Sequence, residues 1–131
     1  MAVGSVYHLA TPGDATILGG ADIPFSSNET LNGATHLPGT ATIIVSDSGD
    51  YQIDYSINYT NAMIGGMVSV TINGAPEAST PIVLPMGEVT GTTLLNLTAG
   101  DVITLRNTFP APLSLALAPT KGARMDITKK N

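Results

Sequence analysis

The chain has 131 residues, 43% of them hydrophobic and only 11% charged, with 14 Gly and 9 Pro. A formal net charge of −5 and a pI of about 4.6 exclude the basic stripe of a nucleic-acid binder. The absence of cysteine excludes disulfides and thiolate metal sites alike.

The charged fraction is well below the roughly 25% of an average globular domain. The surface must therefore rely on Thr, Ser and Asn, or be covered by other subunits. Four of the five basic residues, Lys121, Arg124, Lys129 and Lys130, fall in the last eleven positions. No apolar run approaches the roughly 20 residues of a membrane-spanning helix. The opening residues "MAVGSVY" lack the basic and apolar regions of a signal peptide. Length and composition suit one domain, residues 1–131, with residues 1–4 as a flexible lead.

No window sustains apolar residues at helical spacing, and turn residues interrupt most windows of ten. The predicted strands follow in chain order. "SVYHLA" (5–10) leads into a Thr-Pro-Gly-Asp turn, "ATIL" (15–18) ends at Gly19-Gly20, and "DIPF" (22–25) is interrupted by Pro24. A Ser-, Asn- and Gly-rich loop, "SSNETLNGATHLPG" (26–39), comes before "ATIIV" (41–45) and the turn "SDSG". The longest strand, 50–59, then connects through "NAMIGG" to "MVSVTIN" (67–73), where Val68, Val70 and Ile72 alternate. Asn73-Gly74 is a hairpin-turn signal. The edge-like, Pro-bounded "STPIVLP" (79–85) precedes "TTLLNLT" (92–98), "VITLRN" (102–107), "LSLALA" (113–118) and "ARMDIT" (123–128). About ten short strands without helical interludes predict an all-β antiparallel sandwich, jelly roll or barrel.

The clearest pattern lies in "SGDYQIDYSINYTN", residues 48–61. Tyr51, Ile53, Tyr55, Ile57 and Tyr59 occupy the odd positions, while Gln52, Asp54, Ser56 and Asn58 occupy the even ones. A period of two gives a strand with an apolar and a polar face.

The segment from Ile43 through Gly49, Tyr51, Ile53 and Tyr55 resembles the C1q/tumour-necrosis-factor superfamily signature, with Ile43 and Ile53 standing where aromatics are usual. "LNLTAGDVITL" (95–105) resembles a second superfamily block. "ILGGADIP" (17–24), "YSIN" (55–58) and "TINGAP" (71–76) are similar, in matching order, to segments of the C-terminal heads of bacterial collagen-like exosporium glycoproteins. The resemblance implies a ten-stranded jelly roll that assembles as a homotrimer. It also implies that Tyr51, Ile53, Tyr55 and Ile57 point into the sandwich and that Gln52, Asp54, Ser56 and Asn58 face a subunit seam. Asp54 is then either a carboxylate repeated by symmetry inside the seam or an ordinary one at its rim.

Motifs for chemistry are sparse. His8 and His36, the only histidines, have no carboxylate-rich partners in sequence, so neither a triad nor a transition-metal site is indicated. Asp47 and Asp50 in "SDSGD" could contribute to a calcium loop, but the same residues are what a tight turn needs. Asn28, Asn58 and Asn96 head Asn-x-Thr sequons, and Asn58 and Asn96 fall within predicted strands. Sequence reading therefore expects no cofactor, no metal and no enzyme activity. It expects a homotrimeric head for a collagen-like spore or cell-surface protein, with a tip that meets surface or host molecules. The rival is a recognition module, such as a phage fibre tip or lectin-like head, that binds carbohydrate or protein. A cupin-type enzyme would need a histidine-rich cluster that two isolated histidines do not supply.

Overall fold

The computed structural model describes residues 3–11, 13, 15–60, 67–81, 87–108 and 112–130. They form β1 (Val3–His8), β2 (Thr16–Ile17), β3 (Ser27–Asn32), β4 (Ala34–Thr35), β5 (Ile43–Val45), β6 (Gly49–Tyr59), β7 (Met67–Ile72), β8 (Ala75–Pro81), β9 (Gly87–Leu97), β10 (Val102–Asn107), β11 (Leu113–Ser114) and β12 (Ala123–Lys129). No helix occurs among the described residues.

One five-stranded sheet runs β3-β1-β12-β6-β9 and the other β4-β5-β10-β7-β8; β2 and β11 pair only with each other. All of these strand pairs are antiparallel. The chain crosses repeatedly between the two sheets, so sequence neighbours such as β5 and β6 lie in different layers. This is a jelly-roll sandwich.

The core fills the space between the layers. From the first sheet come Tyr51, Ile53, Tyr55, Ile57 and Tyr59 of β6 and Ala123, Met125 and Ile127 of β12. Ile43, Val45, Val68, Val70, Ile103 and Leu105 close on them from the second. Ile72, at the end of the β7 alternation, is only half-buried and packs against the edge of the core. The Tyr51 hydroxyl donates to the Asp47 carbonyl at 2.7 Å, so its polar end is satisfied inside an apolar layer. On β7 both faces are covered: Ser69 and Thr71 are buried on one face, and Val68 and Val70 on the other. The Thr71 and Thr104 hydroxyls bond across β7 and β10.

Several boundaries differ from the sequence reading. Val3 and Gly4 are not part of a lead; they pair with Thr128 and Ile127 in β1. The stretch 26–39 is not all loop, because β3 and β4 lie within it. Its polar residues suit β3, which is a sheet edge with a partner on one side only. "DIPF" forms single bridges at Asp22 and Phe25, and no continuous strand crosses Pro24. The hairpin partner of β7 starts at Ala75, immediately after the turn, with Ile72 opposite Ala75. Asn73 and Gly74 have φ of 53° and 88°, the signs a type I′ turn requires. β9 begins at Gly87, five residues before the predicted start, because β6 offers it partners along its whole length. "LSLALA" pairs only at Leu113–Ser114, with single bridges at Leu115 and Leu117. Pro12 and Asp14 of the first turn, the "NAMIGG" connection and residues 82–85 of "STPIVLP" lie outside the described residues.

Ile53 is fully buried at the middle of β6. Ile53→Ala should lower the unfolding free energy by about 2–5 kcal/mol, read from denaturant melts at fixed protein concentration.

Candidate subunit interface

The outer face of the first sheet carries the even residues of β6. Strand register sets them in rows. Ser5, Asp126, Asp54 and Thr92 lie across β1, β12, β6 and β9; Tyr7, Arg124, Ser56 and Thr90 form the next row. Gln52 lies between Thr128 and Leu94 in a third. Gln52, Asp54, Ser56 and Asn58 are all half-buried in the isolated chain.

Two carboxylates, Asp54 and Asp126, are cross-strand partners on this face. Like charges directly opposite destabilise a sheet unless they are compensated. The compensation is visible on both sides. Asp54 accepts from Thr92 Oγ1 at 2.7 Å and from Gln52 Nε2 at 3.0 and 3.2 Å. Asp126 accepts from Ser5 Oγ at 2.5 Å and pairs with Arg124 Nε at 3.1 Å. A shallow depression of about 240 Å3 opens over this network, lined by Asp54, Ser56, Thr90, Thr92, Arg124 and Asp126. Leu94, two residues along β9, is 68% exposed beside it. The arrangement is a polar, hydrogen-bonded surface with one net carboxylate and an apolar flank.

Asn58 is used differently from its neighbours on β6. Its amide donates to the Lys121 carbonyl at 2.9 Å, tying β6 to the segment before β12. Lys121 itself donates to Glu29 at 2.7 Å, and its ammonium lies 4.5 Å from the centre of the Tyr7 ring. This bond, and then the Lys121 charge, hold the Glu29 carboxyl below its ordinary range. Nothing in the sequence pointed to this cluster, because Glu29 and Lys121 are 92 positions apart.

The other candidate residues sit elsewhere. His8 is buried on the inner side of β1. His36 is buried in a T-shaped contact with the Phe25 ring, its Nδ1 against Asn28 Oδ1 and its Nε2 2.7 Å from the Thr40 carbonyl. The Asn28 amide donates back to the His36 carbonyl at 3.0 Å, so this sequon asparagine is committed to the fold. A second depression, of about 450 Å3, is lined by Thr35, His36, Leu37, Thr40, Thr42 and Ile44. Asp47 contributes its carbonyl to Tyr51, and Asp50 accepts from the amide of Asn96 at 2.9 Å. Among the described residues no three His, Asp or Glu side chains come together as a metal-binding group. No helix among them is long and apolar enough to cross a membrane.

A family model described as the BclA C-terminal domain matches residues 10–131. No curated protein matches the sequence. Among solved structures, the globular domain of zebrafish complement 1qA protein superposes with a TM-score of 0.73 at 11% identity, covering 100% of this chain and 98% of its own. Eiger TNF from S. frugiperda gives a TM-score of 0.70 at 16% identity, covering 98% and 92%. Rabbit GITRL gives 0.60 at 10% identity, covering 100% and 95%. At these identities the likeness is one of fold: the sandwich is of the C1q/TNF jelly-roll type.

A depressed carboxyl contributes stability that is present above its ordinary pKa and lost as pH falls through the folded value. Lys121→Met should therefore let the Glu29 carboxyl, followed by NMR titration, rise back towards its ordinary value of 4.5.

Proposed function

The chain belongs to the BclA C-terminal domain family, and from that premise we infer that it is a non-enzymatic head that assembles as a homotrimer. The head would hold together a collagen-like protein on a spore or other extracellular surface and present its tip outward. The single observation that carries this reading is the outer face of the β3-β1-β12-β6-β9 sheet. It is a broad, hydrogen-bonded surface in which even residues of β6 are already half-buried in one chain. A second and third copy seated there would bury Gln52 and Asp54 with their mutual hydrogen bonds in place. The low charged fraction supports the same reading, since interface cores are depleted of charge. Each chain would also be stabilised by its neighbours, because association favours the folded state by mass action. A durable external protein without disulfides needs such a source of stability.

A recognition module for carbohydrate or protein is the second reading. The observation in its favour is the depression beside His36, flanked by the exposed Leu37 and Ile44. A saturable, specific signal on a glycan array that is lost in Leu37→Asp would promote it.

Sedimentation of the purified chain at micromolar concentration should give three times the 13.4 kDa chain mass. Ser56→Arg, which sets a long cation over the depression, should shift the species towards monomer while the circular dichroism spectrum is kept. A monomeric parent chain would sink the trimer. A trimer indifferent to Ser56→Arg would move the seam away from this face. An acid dissociation profile changed by Asp54→Asn would put that carboxylate inside the seam; an unchanged one would put it at the rim.

A further inference from the structure

The chain holds two Asn-Gly dipeptides, Asn32-Gly33 and Asn73-Gly74. In such a pair the backbone nitrogen after the asparagine has no neighbouring Cβ to shield it, so it can attack the side-chain amide carbon. Both glycines sit in left-handed turns, with φ of 76° at Gly33 and 88° at Gly74, and both asparagines are exposed. By sequence and exposure the two sites are equivalent. Their side chains are not.

Asn73 is held at both ends of its amide. Nδ2 donates to Asp101 Oδ1 at 2.9 Å, and Oδ1 accepts from the Val102 N–H at 2.9 Å. The Asn73 N–H donates to the Val102 carbonyl at 2.8 Å, which fixes the backbone beneath. Asp101 is itself fixed, because its second oxygen accepts from the Thr98 N–H at 2.9 Å. That bond, and then the one from Asn73, keep the Asp101 carboxyl below its ordinary range and so charged at neutral pH. Asn32, by contrast, ends β3 opposite Val3, and its side-chain amide makes no hydrogen bond among the described residues.

We propose that Asn32 is a site of spontaneous deamidation on the folded head, and that Asp101 and the Val102 N–H guard Asn73 against the same reaction. The reaction needs only water. The glycine nitrogen bonds to the asparagine Cγ and gives its proton to solvent; the Cγ–Nδ2 bond breaks and the amide nitrogen leaves as ammonia. Water then opens the resulting succinimide to aspartate or isoaspartate, with no change of oxidation state. At Asn32 the product adds a negative charge to an already acidic chain. The isoaspartate form also lengthens the backbone at the β3–β4 corner, where the Ser46 N–H donates to the Gly33 carbonyl at 2.8 Å. At Asn73 the side chain must break both of its bonds before Cγ can face the Gly74 nitrogen. A tenfold rate difference corresponds to about 1.4 kcal/mol in the barrier, within what breaking two hydrogen bonds, one of them to a carboxylate, requires.

The test incubates the full folded chain at neutral pH and physiological temperature, digests it with pepsin in acid, and follows amide-to-acid conversion at each site by mass spectrometry. Asn32 should convert at least about tenfold faster than Asn73. Asp101→Ala should speed Asn73 by about tenfold and leave Asn32 unchanged. Asp101→Asn, which keeps an acceptor oxygen, should fall between. The Asn32 rate is the internal control for folding, since unfolding of a variant would raise both rates together. In denaturant the two sites of the parent chain should converge. Equal rates at the two sites of the folded parent chain would overturn the proposal, as would an unchanged Asn73 rate in Asp101→Ala and Asp101→Asn.

Discussion

Strand β6 is hydrogen-bonded along both edges, to β12 over seven residues and to β9 over all eleven. Its strict alternation means that these ladders can form in only one register without turning the core face to water. With Tyr51, Ile53, Tyr55 and Ile57 inside, each fully or almost fully buried, a slip of one residue would place Gln52 and Asp54 in the apolar layer. Such burial of an unpaired charge is far more costly than the loss of any single hydrophobic contact. The positions of β12, β9 and, through β12, of β1 and β3 all follow from this constraint.

The same constraint makes the outer face. Because the pleat is rigid, the polar residues of β6 are brought level with those of β12 and β9, and two carboxylates are set side by side. The face is stable because each carboxylate has its own donors: Thr92 and Gln52 for Asp54, Ser5 and Arg124 for Asp126. A surface satisfied in this way can meet another chain without first breaking a solvated ion pair. That property suits a subunit seam and gives the proposed trimer its physical basis.

A second theme is that short turns are bound to one another and not only to their own strands. The β7–β8 turn at Asn73 is fastened to the β9–β10 turn at Asp101, and the Asn58 amide fastens β6 to the chain before β12. Gly122 lies in that same crowded corner. A Cβ there would come within 2.9 Å of the Ala116 carbonyl oxygen, so only glycine lets the chain pass. These ties join ends of strands that belong to different hairpins, which is how a chain without disulfides keeps its loops in place.

By itself the amino-acid order determined the all-β class, most of the strands, the hairpin at Asn73-Gly74 and the two faces of β6. Each of these is encoded by neighbours one or two positions apart, through alternation or through the φ preference of a turn residue. It did not reveal β3 and β4, whose polar, glycine-containing stretch reads as loop until β1 and β5 supply partners for one edge. Nor did it reveal the cross-strand meeting of Asp54 with Asp126, the Glu29–Lys121–Tyr7 cluster or the difference between Asn32 and Asn73. Those depend on contacts between residues far apart in the chain, and only the register of the sheets and the packing of one turn on another decided them.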